Sequence, residues 1–523
     1  MKRAWWCFCL VIAALPSFGQ RRRAADLPPP PFLICTEGGS PFVTLKQEEV
    51  DALVKAAAAS LNVNTATIAV VDRSGRPLAV FRQPAASAAN DDRAVGLART
   101  AAFFSHNMAP LSSRTVRFIS QVHFPPGVVN APPGPLYGIE NTNRCDLAVP
   151  FTLGKQVPDT RSLSGGPGPG IVTGKQQPDD GPYPQNPFDR SVDAGGIPIY
   201  RGGQLVGGIG VAGVAGDPQL AEFMAVTGVF GGGFAPVPAY PLPEPGNVFI
   251  DGIRLPLLGP EQKLRFDADG NPVGLVPPAG TSPGTSAGTY SIPVAPFSTC
   301  AANEYLTGPT GGSLLTQSQV DAIVQRAVST SKRTRAIIRL PLNSYVRMVI
   351  AVADVNGDIL ALYRMPDATV FSVDVAVAKA RNVINFSISG LPGVPAGTAV
   401  TNRTIGFGAQ PLYPTGIDGT KPGPFYSIFL NDLANPCGNG GTGIVFFPGA
   451  TPLFANGKLV GGLGVSGDGV EQDDYVTYFG AGEFLPDPKT WADRIKVDGV
   501  RLPMFKFPRQ PEGVTECGGK PCS

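Results

Sequence analysis

The strongest constraint on this chain is that it contains itself twice. Leu45-Lys46-Gln47 followed by Val50-Asp51-Ala52-Leu53-Val54 returns as Leu315-Thr316-Gln317 followed by Val320-Asp321-Ala322-Ile323-Val324. Ala69-Val70-Val71-Asp72-Arg73-Ser74-Gly75 returns as Ala351-Val352-Ala353-Asp354-Val355-Asn356-Gly357. Asp92, Ala94, Arg99, Phe104 and Ser105 recur as Asp374, Ala376, Arg381, Phe386 and Ser387 at one constant offset. Arg114-Thr115 and Gly134-Pro135-Leu136-Tyr137 recur as Arg403-Thr404 and Gly423-Pro424-Phe425-Tyr426. The run Gly203 to Val211 then matches Gly457 to Val465, and Asp251 to Pro256 matches Asp498 to Pro503. Blocks that return in one order mark a tandem duplication, so whatever one copy folds into, the other must also accommodate.

Each copy carries the same succession of patterns. Val50, Leu53, Val54 and Ala57, like Val320, Ile323, Val324 and Ala327, are spaced for one face of a helix. Thr44-x-x-Gln47 and Thr316-x-x-Gln319 are candidate capping boxes at their starts. Two strands then flank a turn, 68–71 with 78–81 and 349–353 with 359–363, each turn opened by Asp and closed by Gly. A second helix covers about 92–104 and 373–386, and a second hairpin turns at Arg201-Gly202-Gly203 and Ala455-Asn456-Gly457. Helix, hairpin, helix, hairpin predicts an α+β class of two tandem domains, each an antiparallel sheet with helices packed on it.

Gly (65) and Pro (55) are abundant and charged residues make up only 16% of the chain, which excludes a long coiled coil; 43% hydrophobic residues exclude a disordered chain. The Gly and Pro collect in loops. The first domain is placed at 33–257 with an inserted loop at 151–195, a linker at 258–313, the second domain at 314–507 and a tail at 508–523. Asp267-Ala268-Asp269-Gly270-Asn271 has its glycine at the fourth position, where a calcium loop needs it at the sixth, so it reads as a hairpin turn. Gly208-x-Gly210-x-x-Gly213 and Gly462-x-Gly464-x-x-Gly467 spell a dinucleotide fingerprint, but they lie inside an apolar strand after a hairpin. Close approach of a helix or ligand is the better reading of such glycines.

Residues 1–19 read as a signal peptide: Lys2 and Arg3, an apolar run from Ala4 to Leu15, then Ser17-Phe18-Gly19 with small residues at the cleavage positions. That run is too short to span a bilayer, and no later segment reaches the necessary length. A retained N-terminal anchor is the alternative to cleavage, and the chain is expected to be periplasmic or extracellular. Without the leader, basic and acidic residues balance, so nucleic acid is not an expected partner. Only His106 and His123 are present, which excludes a three-histidine metal site within the chain, and no C-x-x-C-H occurs for covalent haem attachment. Cys35 and Cys145 occupy places in the first copy that Cys300 and Cys437 occupy in the second. Internal symmetry therefore pairs Cys35 with Cys145 and Cys300 with Cys437, and leaves Cys517 with Cys522 in the tail. These thiols read as structural, each long bridge being worth about 2–4 kcal/mol.

The order Ala-Val-x-Asp-x-x-Gly, Asp-x-Ala helix and Gly195-Gly196-Ile197-Pro198-Ile199-Tyr200 leading into Gly207-Gly208-Ile209-Gly210-Val211 resembles the GlcG/HbpS-like haem-binding family. Leu459-Val460-Gly461-Gly462-Leu463-Gly464-Val465-Ser466-Gly467 with Glu471-Gln472-Asp473 is the closer match of the two endings; the first copy has Ala212 for the serine and lacks the Glu-Gln-Asp. The resemblance implies a profilin-like antiparallel sheet flanked by helices, a tendency to oligomerise and, in some members, haem binding or breakdown. It also implies that the two copies pair as a pseudo-dimer, with higher homo-oligomers as a further expectation.

For a haem the candidate axial groups are His106 and then His123; the second copy has Ile388 and Leu412 in their places, leaving Tyr413 or Tyr426, with Tyr137 the first copy's counterpart of Tyr426. Arg99 and Arg381 recur and could pair a haem propionate, or equally a neighbouring Asp such as Asp92 or Asp374; Arg82, Arg364, Arg114 and Arg403 recur likewise. No serine–histidine–acid set or paired-carboxylate spacing identifies a catalytic mechanism. The reading is an exported haem- or tetrapyrrole-binding protein. Its alternatives are a small-molecule binding or sensing module without haem, and a disulfide-stapled structural protein of the cell surface.

Overall fold

The computed structural model describes residues 44–126, 128–139, 193–214, 218–238, 248–292, 305–434 and 443–512, with the short pieces 36–37, 40–41 and residue 514. The leader, all the cysteines and nearly all of the 151–195 insertion lie outside the described residues.

In the first copy α1 (Gln47–Ala59) precedes the hairpin β1 (Thr67–Asp72) and β2 (Pro77–Arg82). Then come α2 (Asp91–Phe104), the short α3 (Ser113–Phe118), the hairpin β3 (Gly196–Arg201) and β4 (Gln204–Ala212), α4 (Pro218–Gly231) and β5 (Thr289–Ile292). The strands form one antiparallel sheet in the order β5-β2-β1-β4-β3. The second copy repeats it with β6 (Tyr305–Thr307), α5 (Gln317–Arg333), β7 (Val349–Asp354), β8 (Ile359–Arg364) and α6 (Phe371–Ser389). It continues through α7 (Asn402–Gly408), α8 (Tyr426–Ala434), β9 (Ala450–Ala455), β10 (Lys458–Ser466) and α9 (Val470–Ala481), with strand order β6-β8-β7-β10-β9. The molecule is thus α+β, with two sheet-bearing domains, as the patterns predict.

The differences have local causes. Helices α4 and α9 follow the second hairpins; α4 is apolar nearly all round, with Phe223, Met224, Val226 and Val229 buried, so no polar stripe betrays its period. Edge strands β5 and β6 come from the Pro/Gly-rich stretch between the copies, pairing with β2 and β8 by backbone bonds that need little side-chain pattern. The same stretch holds the hairpin Leu264–Phe266 with Pro272–Leu275, where Asp267 Oδ1 accepts from the amides of Asp269 and Asn271 at 3.0 and 2.8 Å. Thr316 and Gln319 form their capping box, but in the first copy the cap is Lys46, whose amide donates to Glu49 at 2.6 Å.

The strand glycines explain the layering. A β-carbon on Gly210 would stand 2.0 Å from the Ala94 carbonyl oxygen, and one on Gly208 2.2 Å from that of Ala98. Gly464 and Gly462 meet Ala376 and Ala380 in the same way, at 2.1 and 2.3 Å. Helices α2 and α6 therefore lie directly on β4 and β10, and helix backbone takes the space a pyrophosphate would need. The opposite sheet faces are covered by α1 with α4 and by α5 with α9. The outer sides of α2 and α6 face each other in one core shared by both copies, where Phe104 stacks on Phe371 with centroids 4.0 Å apart. The copies thus pack as a pseudo-dimer within the chain.

Placing a methyl group at Gly210 or Gly464 forces helix and strand apart, a change of the overpacking kind that costs about 1–3 kcal/mol or more. Gly464→Ala and Gly210→Ala should each lower the urea midpoint by a corresponding amount; an unchanged midpoint would mean the helix does not sit where described.

Candidate functional site

Between the copies, where loops after α2 and α3 meet the strand ends of the second sheet, lies a cavity of about 560 Å³. That is within the range of small-molecule sites. Much of its wall is apolar, drawn from Phe104, Leu111, Ile119 and Phe124 of the first copy and Ile337, Ile338 and Phe371 of the second, with Phe104 and Phe371 in contact. Tyr137, on the first copy's Gly134-to-Tyr137 turn, also lines it.

The charged part of the wall belongs to the second copy and is built from ion pairs. Lys379, buried on α6, donates to Asp473 Oδ2 and to the Val465 carbonyl, both at 2.8 Å, and its ammonium sits 4.9 Å from the Phe447 ring centroid. Arg403 pairs with Asp474, and Lys506 with Glu471. Asp473, Glu471, Arg403 and Lys506 are all in the cavity wall. Burial pushes the Asp473 carboxyl up to about 7 against the opposing pull of Lys379, and burial likewise lowers the Lys379 ammonium. Asp473 Oδ1 and Arg403 Nη2 are buried with no hydrogen-bond partner.

This polarity is not duplicated. The Arg403–Asp474 pair has its counterpart in Arg114 and Glu222, 2.7 Å apart on α3 and α4. Lys379 and Asp473, however, correspond to Leu97 and Ala221 in the first copy. A lysine on the apolar face of a helix, where the other copy has leucine, was the one signal in the sequence for this part of the cavity; the Glu471-Gln472-Asp473 run marked its place on α9.

The predicted site residues fall in several places. His106 is fully buried outside the cavity wall, its Nδ1 accepting from the Met108 amide at 3.2 Å and lying 3.4 Å from Arg339 Nη1. Burial, aided by the Arg339 charge, holds its pKa well below the ordinary value, so the ring is neutral. Beside it Asp367 receives Arg73 and Arg339 at 2.8 and 2.7 Å and the Asn107 amide at 3.0 Å, tying the copies together; these guanidinium groups overcome burial and hold its carboxyl below the usual range. His123 spans the copies differently, with Nδ1 2.8 Å from the Ala131 carbonyl oxygen and Nε2 2.9 Å from Asp418 of the second copy. Arg99 and Arg381 donate Nε to the carbonyls of the turn glycines Gly75 and Gly357, at 2.9 and 2.7 Å, bracing the first hairpin of each copy. Arg82 pairs with Asp91, and Arg364 with the Ala368 carbonyl. Tyr413 donates to the Val497 carbonyl at 3.1 Å, and Tyr426 stacks on Phe429; neither lines the cavity. Of the named candidates the cavity gathers Tyr137 and Arg403 and leaves the others elsewhere.

The wall therefore suits one part of a haem and not the other. Its apolar residues suit a macrocycle, and Arg403 and Lys506 suit carboxylates. The described lining holds no His, Cys or Met, and Tyr137, the single residue of an iron-ligating type, has its ring stacked on Phe429 at 5.4 Å. No group of three or more His, Cys, Asp or Glu able to hold a metal ion occurs among the described residues, and no helix among them is long and apolar enough to cross a membrane.

Removing one member of a buried ion pair strands the other, at a cost of about 3–5 kcal/mol. Lys379→Leu should destabilise the protein in urea more at pH 8 than at pH 5, because the lone Asp473 carboxyl, already raised to about 7, is neutral at the lower pH and must lose its proton or resist ionisation at the higher. Lys379→Leu with Asp473→Ala, the pair found in the first copy, should recover most of the loss. A single variant equally stable at both pH values would contradict this.

The family profile described as "Haem degrading protein HbpS-like" matches residues 45–157 and 315–481, together more than half of the chain. An uncharacterised 15.0 kDa protein of Citrobacter freundii is 31% identical over 159 residues, which is 30% of this chain and 90% of that protein. Among solved structures, a complex of PduOC with haem is 23% identical over 31% of this chain and 88% of its own, with a TM-score of 0.21. A doubly substituted HbpS of Streptomyces reticuli is 22% identical over 36% of this chain and 97% of its own, also at a TM-score of 0.21. With one matched segment in each copy, the chain belongs to the HbpS-like haem-degrading family, in two tandem copies.

Proposed function

We propose that the chain binds a tetrapyrrole of the haem class in the cavity between its two copies, one per chain. The observation that carries this is the joint character of that cavity: apolar residues from both copies of an HbpS-like domain, and charged residues from the second copy alone. The apolar residues remove a macrocycle from water, a term of roughly 25 cal/mol for each Å² of apolar surface covered. Arg403 and Lys506 meet the acid side chains. For an iron-bearing ligand, Tyr137 would be the wall residue to hold the metal, which would supply redox chemistry. The chain's own residues supply enclosure, orientation and exclusion of water. The mature protein works outside the cytoplasm, on the reading of residues 1–19 as a signal peptide, with Cys35–Cys145, Cys300–Cys437 and Cys517–Cys522 as its bridges.

The test is titration of the oxidised protein with haemin and with metal-free protoporphyrin, followed by absorbance and fluorescence. At least one should bind saturably near one per chain, and Ile338→Trp, which fills the apolar part, should weaken it by about ten-fold or more. If neither ligand saturates, or if Ile338→Trp leaves binding unchanged, the assignment of this cavity fails.

A further inference from the structure

Beside the cavity the second copy carries a groove of about 500 Å³, and the two share a wall: Phe407, Pro503 and Phe505 line both. The groove's other aromatic residues are Tyr478 on α9, Trp491 and Phe507. Phe505 and Phe507, two residues apart, have ring planes 31° from one another. Tyr478 stands edge-on to them, at 84° and 67°, and to Trp491 at 87°. One aromatic wall with a second set across it suits a flat guest, whose face meets the first and whose edge meets the second. Phe507 is 41% exposed, and covering such a ring is favourable.

The duplicated scaffold does not require these rings. In the register of the two copies, Val226, Leu258 and Pro260 stand where Tyr478, Phe505 and Phe507 do. Charge differs between the copies at the same place. Residues 487–507 hold five Lys or Arg against three Asp, whereas the corresponding 240–260 hold one Arg against one Glu and one Asp. Arg501 lies in the groove wall with Asp493, donating from Nε to the Asp493 carbonyl and from Nη2 to its Oδ2 at 3.1 Å. The Arg501 side chain is nevertheless 66% exposed, so its guanidinium is held in place and still open to a carboxylate from solution.

We propose that this groove is a second, weaker site for a planar aromatic acid of the tetrapyrrole class, with the ring against Phe505 and Phe507 and a carboxylate on Arg501. This rests on the tetrapyrrole reading of the chain's ligand and adds a place of binding outside the cavity between the copies. Two observations favour that guest: the groove is continuous with the cavity through their common wall, and its basic frame complements an acid. The first copy lacks both the rings and the excess of basic residues, which makes this one groove per chain.

The experiment titrates haemin and metal-free protoporphyrin into the full-length oxidised protein, past the point at which the cavity is filled. The variants are Tyr478→Val, which installs the first copy's residue, Phe507→Asp at an exposed position, Arg501→Ala, and Ile338→Trp in the cavity. After a tight step near one per chain, a weaker saturable step should bring the total near two. Tyr478→Val and Phe507→Asp should weaken the second step by about ten-fold or more and leave the first within about two-fold, while Ile338→Trp does the reverse. The second step should also weaken by about three-fold between about 0.05 M and about 0.5 M salt, a dependence that Arg501→Ala reduces and that apolar adsorption would not show. A titration complete at one per chain, uptake that never saturates, or a second step unmoved by both aromatic variants overturns the groove and leaves the cavity standing. A single step that the groove variants abolish and Ile338→Trp does not would overturn the cavity and leave the groove. If no saturable step appears, both fail together.

Discussion

The distance between a helix and the strand beneath it governs this molecule. Hydrogen atoms at Gly208, Gly210, Gly462 and Gly464 allow carbonyl oxygens of α2 and α6 to stand where β-carbons would otherwise be. Each helix is seated so deeply on its sheet that its far side is still apolar and close to the partner copy. The shared core around Phe104 and Phe371 follows from that seating. The domain interface is thus an extension of the domain core, which distinguishes it from the more polar contacts usual between domains of one chain.

On this frame duplication has produced an unequal pair. Both copies keep the hairpin-bracing arginines, Arg99 and Arg381, and both keep an arginine–acid pair between the short helix and the helix that follows the second hairpin. Only the second adds Lys379 and Asp473, and only the first contributes His106 and His123 to the joint. A homodimer would have to place the same residues on both sides of its axis. A tandem repeat is free of that symmetry, and the cavity uses the freedom: apolar residues from both copies, charged residues from one of them.

The histidines illustrate how residue type can mislead when contacts are unknown. Scarce histidine beside a haem-family pattern points to axial ligation, but His106 is walled in by Met108, Arg339 and Asp367, and His123 bridges Ala131 of its own copy to Asp418 across the joint. Both stand at the contact between the copies, a place that a single copy does not possess. The arginines are similar. Their recurrence marked them as part of the duplicated scaffold, and Arg99 and Arg381 turn out to serve the turn carbonyls of Gly75 and Gly357.

The duplication, the α+β class, the paired hairpins and the close approach at the strand glycines were all determined by the amino-acid sequence itself, because each depends on neighbours within a few residues or on a pattern stated twice. The cap at Lys46, the apolar helix α4 and the edge strands from the connecting stretch were decided elsewhere. They depend on backbone partners and on burial from all sides, which leave little periodic trace. The cavity was decided by tertiary structure alone. Its wall draws on residues from Phe104 to Lys506, and a volume enclosed between two surfaces has no signature in either surface taken singly. What the sequence held was only the asymmetry, Lys379 against Leu97; that a buried ion pair would stand at the edge of a ligand-sized space required the two copies to be brought together.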